Sequence, residues 1–207
     1  MLNRLLRATM TKLLGPIASL LLRLGVSPDV VTVVGTLGVC VGALAFFPRG
    51  QLWVGVLVIT AFVFSDTVDG IMARSSGRSN KWGAYLDSTL DRVGDAAIFG
   101  GLVLYYAGPG DNRLLAGLAL ACLILGSVVS YAKARAEGLG FTADVGIAER
   151  ADRLVAVLVT AFFADLLDST LLLGVVLALL AVASLVTVLQ RMLTVRRQAL
   201  AAGEVAR

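Results

Sequence analysis

The sequence predicts an all-α integral membrane protein with six transmembrane helices and an N-terminal amphipathic helix at the membrane interface. Three observations predict it. The 207 residues are 58% hydrophobic, with a mean hydropathy of +0.89, which is too apolar for a soluble domain of this length. Apolar runs near the roughly 20 residues needed to cross hydrocarbon recur along the chain. Breakers separate them, and basic residues gather at alternate breakers.

Residues 1–23 interleave Arg4, Arg7, Lys12 and Arg23 with Leu5, Leu6, Leu13, Leu14 and Leu20 to Leu22. No small-residue cleavage site follows, so this segment reads as an interfacial helix rather than a signal peptide. Ser27-Pro28-Asp29 is a helix start, with Ser as N-cap, Pro in the first turn and an acid beside it. The predicted spans are 29–47, 52–73, 84–107, 113–136, 152–167 and 169–191. The fifth is the weakest, because its clean apolar part runs only from Leu154 to Ala164. The breakers are Pro48-Arg49-Gly50, 75–81, Gly108 to Asn112 and Gly138 to Gly146. Gly35, Gly38 and Gly42 suit close helix packing. Residues 1–207 are expected to form one membrane domain, with the bundle over 29–191.

Of the 18 Lys and Arg residues, 15 fall before span one, after spans two and four, and at the end of the chain. The opposite loops hold only Arg49 and Arg113, and Arg92 lies inside span three. The positive-inside rule then puts both termini in the cytoplasm of a cell-membrane protein. The net charge of +4 reports topology and anionic lipid or phosphate contact, not nucleic-acid binding. Cys40 and Cys122 lie in apolar runs without metal-site spacing. With no histidine in the chain, any general base is Asp, Glu, Lys, Tyr or Cys.

Four acids stand out against this background. Asp66 and Asp69 are three apart at the inner end of span two, and Asp87 and Asp91 are four apart at the start of span three. Each pair shares a helix face, and antiparallel neighbouring helices let the pairs converge. An ionisable group in or near a bilayer is a functional-site hypothesis by default. Four clustered carboxylates repel one another unless cations neutralise them, and their oxygens suit Mg²⁺ or Mn²⁺. The bland alternative is that they only pair with Arg74, Arg78 and Arg92. Asp95, one turn beyond Asp91, reads as a supporting partner rather than a ligand.

From Asp66 to Asp91 the chain meets D-x2-D-G-x2-A-R-x8-G-x3-D-x3-D at every fixed position. This resembles the signature of the CDP-alcohol phosphotransferase family. The resemblance implies six transmembrane helices, usually in a homodimer, with a polar cavity open to the cytoplasm. It also implies displacement of CMP from a CDP-linked lipid by an alcohol. By similarity, Asp66, Asp69, Asp87 and Asp91 hold two divalent metals, Mg²⁺ or Mn²⁺, and Asp91 is also the base. Gly70, Arg74 and the segment Asp29, Val30, Val31 and Thr32 are the implied contacts of CDP-diacylglycerol. Asn80 belongs to that set, at a loop position where the family expectation is Thr or Ser.

The second half of the chain bears on the acceptor. Ser130 and Lys133 share a helix face, and Lys133, Arg153 and Arg191 all come from the same end of their spans. These cations can meet beside the metal site, in a pocket that favours a phosphorylated acceptor. A plain positive-inside girdle is the alternative. SYAKARAE, the following ERxxRL segment, SPDVVT and the QR of the last span are similar to an actinobacterial branch of the family whose acceptor is 1D-myo-inositol 3-phosphate. Carried over, Ser130, Lys133, Arg135, Arg153 and Arg191 bind that inositol phosphate. Ala151 stands where some relatives have Pro.

Glycerol 3-phosphate is the alternative acceptor, because it too needs a basic pocket. An ion or proton transporter built on intramembrane carboxylates is the alternative from another class. The acids lie near one face rather than midway, and the chain shows no obvious inverted repeat, which disfavours transport.

Overall fold

The structure, a computed structural model, describes residues 14–63, 65–75, 81–147 and 149–203, without the side chains of Asp66 and Thr67. Among them the order is α1 (Leu14–Arg23), α2 (Pro28–Val41), α3 (Leu52–Val63), α4 (Ser65–Ser75), α5 (Lys81–Ala107), α6 (Arg113–Gly138), α7 (Arg150–Leu166) and α8 (Leu171–Ala201). No strand occurs among the described residues.

Contacts divide the chain into two units. The first holds α1, α2, α3 from Val54, α4 and α5 up to Ile98; the second holds Phe47–Trp53 and everything from Phe99. The single domain expected over 1–207 thus comprises two contact units.

In the first unit, α1 ends where Gly25 takes a left-handed φ of 79°. This lets the Val26 amide donate back to Leu21 at 3.0 Å, closing the last turn. Ala18 packs on Val68, Ile71 and Met72 of α4, with Leu14, Leu21, Leu22 and Val31 around them. The 10 residues of α1 are too few to cross hydrocarbon, at about 1.5 Å of rise each. The rest of the predicted interfacial helix, 1–13, lies outside the described residues. As the sequence predicts, Ser27 caps α2 by accepting from the Val30 amide at 3.3 Å. A π turn (Gly42–Phe46) and a 3-10 turn (Phe47–Arg49) extend α2 to Arg49. Gly35, Gly38 and Gly42 form the close approach of α2 to α3 and α4. A Cβ there would strike Ser65, Phe62 and Ile59 respectively.

In the second unit, Asp165 of α7 accepts from the Trp53 amide at 2.8 Å, an acid at the N-terminus of α3. Asn112 caps α6 through the Leu115 amide at 3.1 Å. The segment between α6 and α7 is strapped along α8. Gln198 holds Thr142 in both directions, and Thr187 accepts from the Ile147 amide. Gly146 sits at φ 147° directly against Thr187, where a side chain has no room.

Among the described residues, four stretches are long and apolar enough to cross a membrane: Pro28–Arg49, Leu52–Ser75, Arg113–Gly138 and Leu171–Ala201. Six were predicted. α5 has the length, but Asp91, Arg92 and Asp95 interrupt its apolar run. α7 has 17 residues, with charges through its first turn. The predicted span 52–73 consists of α3 and α4, on either side of residue 64, and α8 continues past 191 to Ala201.

Candidate active site

The first unit carries the acids. Asp69 lies on α4 with only 7% exposure, and the Thr32 hydroxyl of α2 donates to its Oδ2 at 2.5 Å. The same hydroxyl lies 3.1 Å from the Pro28 carbonyl, so the first turn of α2 is keyed to α4. Gly70 makes room for Arg74, whose Nη1 lies 3.4 Å from where a Gly70 Cβ would stand. The guanidinium therefore folds back over the glycine one turn away. Asp87 is exposed on α5. Asp91 is half-buried, and Arg92 reaches it at 3.6 Å and Asp95 at 3.5 Å. Asp95 thus shares a cation with the predicted base. The indole of Trp82, in the first turn of α5, donates to Asp29 Oδ2 at 3.1 Å. Val30 is exposed on α2, and Val31 lies by the α1–α4 cluster. Asn80 and the side chain of Asp66 lie outside the described residues.

Among the described residues no group of three or more His, Cys, Asp or Glu side chains forms a metal cage. The donor chemistry still fits a hard divalent cation. Carboxylates at three- and four-residue helical spacing supply oxygen alone, and no histidine or nearby thiol offers a softer ligand.

The second unit carries the cations. Arg153 of α7 is 2% exposed, and its guanidinium lies against Gly126 of α6, 3.4 Å from where a Cβ would stand. Arg191 of α8 is 9% exposed. It donates through Nη1 to the Val129 carbonyl at 2.5 Å and through Nε to the Val145 carbonyl at 3.0 Å. Ser130 donates to the Gly126 carbonyl at 3.2 Å. Lys133 pairs with Asp144 and, at 3.8 Å, with Glu137. Residues 126, 129, 130 and 133 share one face of α6, so Ser130, Lys133, Arg153 and Arg191 gather along it. Arg135 is two residues from Lys133, on the other side of the helix, and is exposed. Carbonyls partner Arg191, and the carboxylates of Asp144, Glu137 and Glu149 lie within electrostatic reach of it, so cations and acids are interleaved at this end of the face.

Two of these groups carry no signal in the sequence. Asp144 lies in a loop breaker, and its pairing with Lys133 is a long-range contact. Trp82 sits inside the eight unspecified positions of the motif. Arg92 is a partner of the acids, as its spacing allows, and reaches both Asp91 and Asp95. The Lys133 ammonium, by hydrogen bond and by charge, holds the exposed Asp144 carboxyl below its ordinary value.

The acids of α4 and α5 and the buried arginines of α7 and α8 are set in a chain of long apolar helices, the mark of a membrane protein with polar sites. The chain belongs to the CDP-alcohol phosphatidyltransferase family, whose model matches residues 25–140. A phosphatidylinositol phosphate synthase of Streptomyces avermitilis is 55% identical over 204 residues, 96% of this chain and 84% of the relative. The crystal structure of the Mycobacterium tuberculosis phosphatidylinositol phosphate synthase with CDP-DAG bound has a TM-score of 0.85 at 44% identity. It covers 89% of this chain and 94% of that one. That enzyme in complex with manganese and citrate gives 0.84, also at 44% identity, over 88% of each chain. This chain is accordingly a membrane protein and a phosphatidyltransferase.

Proposed function

We propose that the chain transfers the phosphatidyl group of CDP-diacylglycerol to 1D-myo-inositol 3-phosphate and releases CMP. The observation that carries the acceptor is the α6 face over 126–133, which bears Ser130 and Lys133 and against which buried Arg153 and Arg191 lie at Gly126 and Val129. A phosphate monoester matches the planar fork of a guanidinium bidentately, which suits a face lined by arginines. The names of the relatives agree with this reading.

Asp66, Asp69, Asp87 and Asp91 are the residues to hold two divalent cations, Mg²⁺ with Mn²⁺ as substitute. Bound there, the metals supply charge neutralisation for the pyrophosphate and the departing phosphate. Gly70 and Arg74 contact the CDP portion, with Arg74 donating to a phosphate oxygen. Asp29, Val30, Val31, Thr32 and Asn80 complete that side. Asp91 accepts the proton of the inositol hydroxyl as its oxygen attacks the β-phosphorus. The new phosphorus–oxygen bond forms as the bond to the oxygen bridging the α-phosphate breaks, and CMP leaves with that oxygen. Arg153, Arg191, Lys133 and Ser130 hold the inositol phosphate, and Arg135, turned to the other side of α6, is left out of that group.

The same reading makes 1–207 one catalytic domain, because one chain carries a donor half and an acceptor half. α5 and α7 are the third and fifth of six spans, beside the four apolar ones, since charged helices in a bundle turn their polar groups inward. Residues 1–23 lie in the interface. The termini and a polar cavity face the cytoplasm of the cell membrane, as the basic residues require. The protein works as a homodimer. Mass spectrometry of the lipid formed from CDP-diacylglycerol and Mg²⁺ tests the reading, with inositol 3-phosphate, inositol and glycerol 3-phosphate in parallel. Phosphatidylinositol phosphate alone is expected. Phosphatidylglycerophosphate instead would keep the donor side and overturn the acceptor.

A further inference from the structure

We infer that Trp82 is a positioning residue for the metal-binding carboxylates, acting through its hydrogen bond to Asp29. The inference rests on the metal reading proposed above. The first turn of α2 makes two side-chain contacts, three residues apart on one face. Thr32 donates to Asp69 of α4, and Asp29 accepts from the Trp82 indole of α5. One turn of α2 thereby touches both halves of the carboxylate motif. Trp82 precedes Gly83 and lies five residues before Asp87 on the same continuous helix. Any rotation of α5 at its first turn is therefore carried to Asp87 and Asp91.

An exposed tryptophan at a helix end is often only an interfacial anchor, with its ring among head groups and its N–H in water. Trp82 is 56% exposed, yet its N–H is spent on a named carboxylate rather than on solvent. The ring also walls an almost wholly apolar pocket of about 310 Å³ with Val30, Val33, Val34 and Leu86. The ring lies against Tyr85 as well, with centroids 5.9 Å apart, and the charge-assisted hydrogen bond sets the direction of the indole. Outer groups that orient metal ligands are commonly as sensitive as the ligands themselves.

Trp82→Phe tests this, because it keeps the apolar wall and deletes only the donor. Mn²⁺ binding is read by electron paramagnetic resonance on the purified full chain, and the KM of each substrate is measured beside it. The dissociation constant for Mn²⁺ and the KM for CDP-diacylglycerol are each expected to rise about three- to tenfold, with the acceptor KM unchanged. In an Asp29→Ala background the Trp82→Phe change is expected to add nothing further. A merely structural loss lowers the active fraction, and hence kcat, while moving neither constant. Wild-type Mn²⁺ affinity and donor KM in Trp82→Phe would overturn the inference alone. Failure of the unmutated protein to bind Mn²⁺ would remove the metal assignment and the inference with it.

Discussion

The two units handle charge in opposite ways. In the first, the acids sit at graded depth: Asp87 is exposed, Asp91 half-buried and Asp69 buried against a hydroxyl. In the second, the cations are sunk: Arg153 and Arg191 keep 2% and 9% of their surface, and carbonyls hold Arg191. A site that takes up metal must keep oxygens available, whereas a site for an organic phosphate gains by fixing its guanidinium groups in advance. Under the proposed function, preorganisation belongs to the acceptor side, and the donor side is completed by what it binds.

The sharpest way to break this contrast is at the base. Asp91→Asn is expected to lower CMP release by about 10² to 10⁴, the worth of general base catalysis, and, because Asp91 is also a proposed metal ligand, to raise the KM for CDP-diacylglycerol while leaving the acceptor KM steady. Unaltered turnover would move the base elsewhere. Next comes Arg191→Lys, which keeps charge but cannot hold the Val129 and Val145 carbonyls together. The KM for inositol phosphate is expected to rise about ten- to a hundredfold, with the KM for CDP-diacylglycerol steady. An effect on both substrates would erase the division. Thr32→Val removes the hydroxyl on Asp69 at constant shape, and should cost about 1 kcal/mol of stability in thermal or denaturant unfolding. It should also raise the donor KM alone.

The smallest effect concerns pH. The carboxyl of Asp144 is lowered when folded, so its pair with Lys133 contributes above the unfolded carboxylate value and is lost as pH falls through the lowered folded one. Asp144→Asn should remove that acid limb from an unfolding-versus-pH series. Because Asp144 is fully exposed, the change should be slight, and an enlarged acid dependence would contradict the pairing.

Much of this was legible in the sequence. Ser27-Pro28-Asp29 announces α2 because capping is local chemistry. The acids of 66–91 announce a site because carboxylates beside apolar runs are costly. Gly35, Gly38 and Gly42 mark a close helix approach. The position of the strap over 141–147 was not legible, since it depends on Thr187, Arg191 and Gln198, which lie far along the chain. The last helix, α8, runs beyond the predicted span, which ends at Gln190-Arg191, because those polar residues interrupt the apolar pattern without ending the helix. Charged residues continue a helix into water as readily as apolar ones cross a membrane. Arg135 illustrates the limit of motif transfer: it shares a segment with Lys133, but the helix turns it to another side.

The most direct measurement is the ratio of CMP release with inositol 3-phosphate to that with unphosphorylated inositol, in the unmutated protein and in Arg191→Gln. A large ratio that collapses in the variant is expected, because the buried guanidinium selects the phosphate. Equal use of both alcohols, or a ratio indifferent to Arg191, would contradict the assignment of the α6 face as the acceptor site.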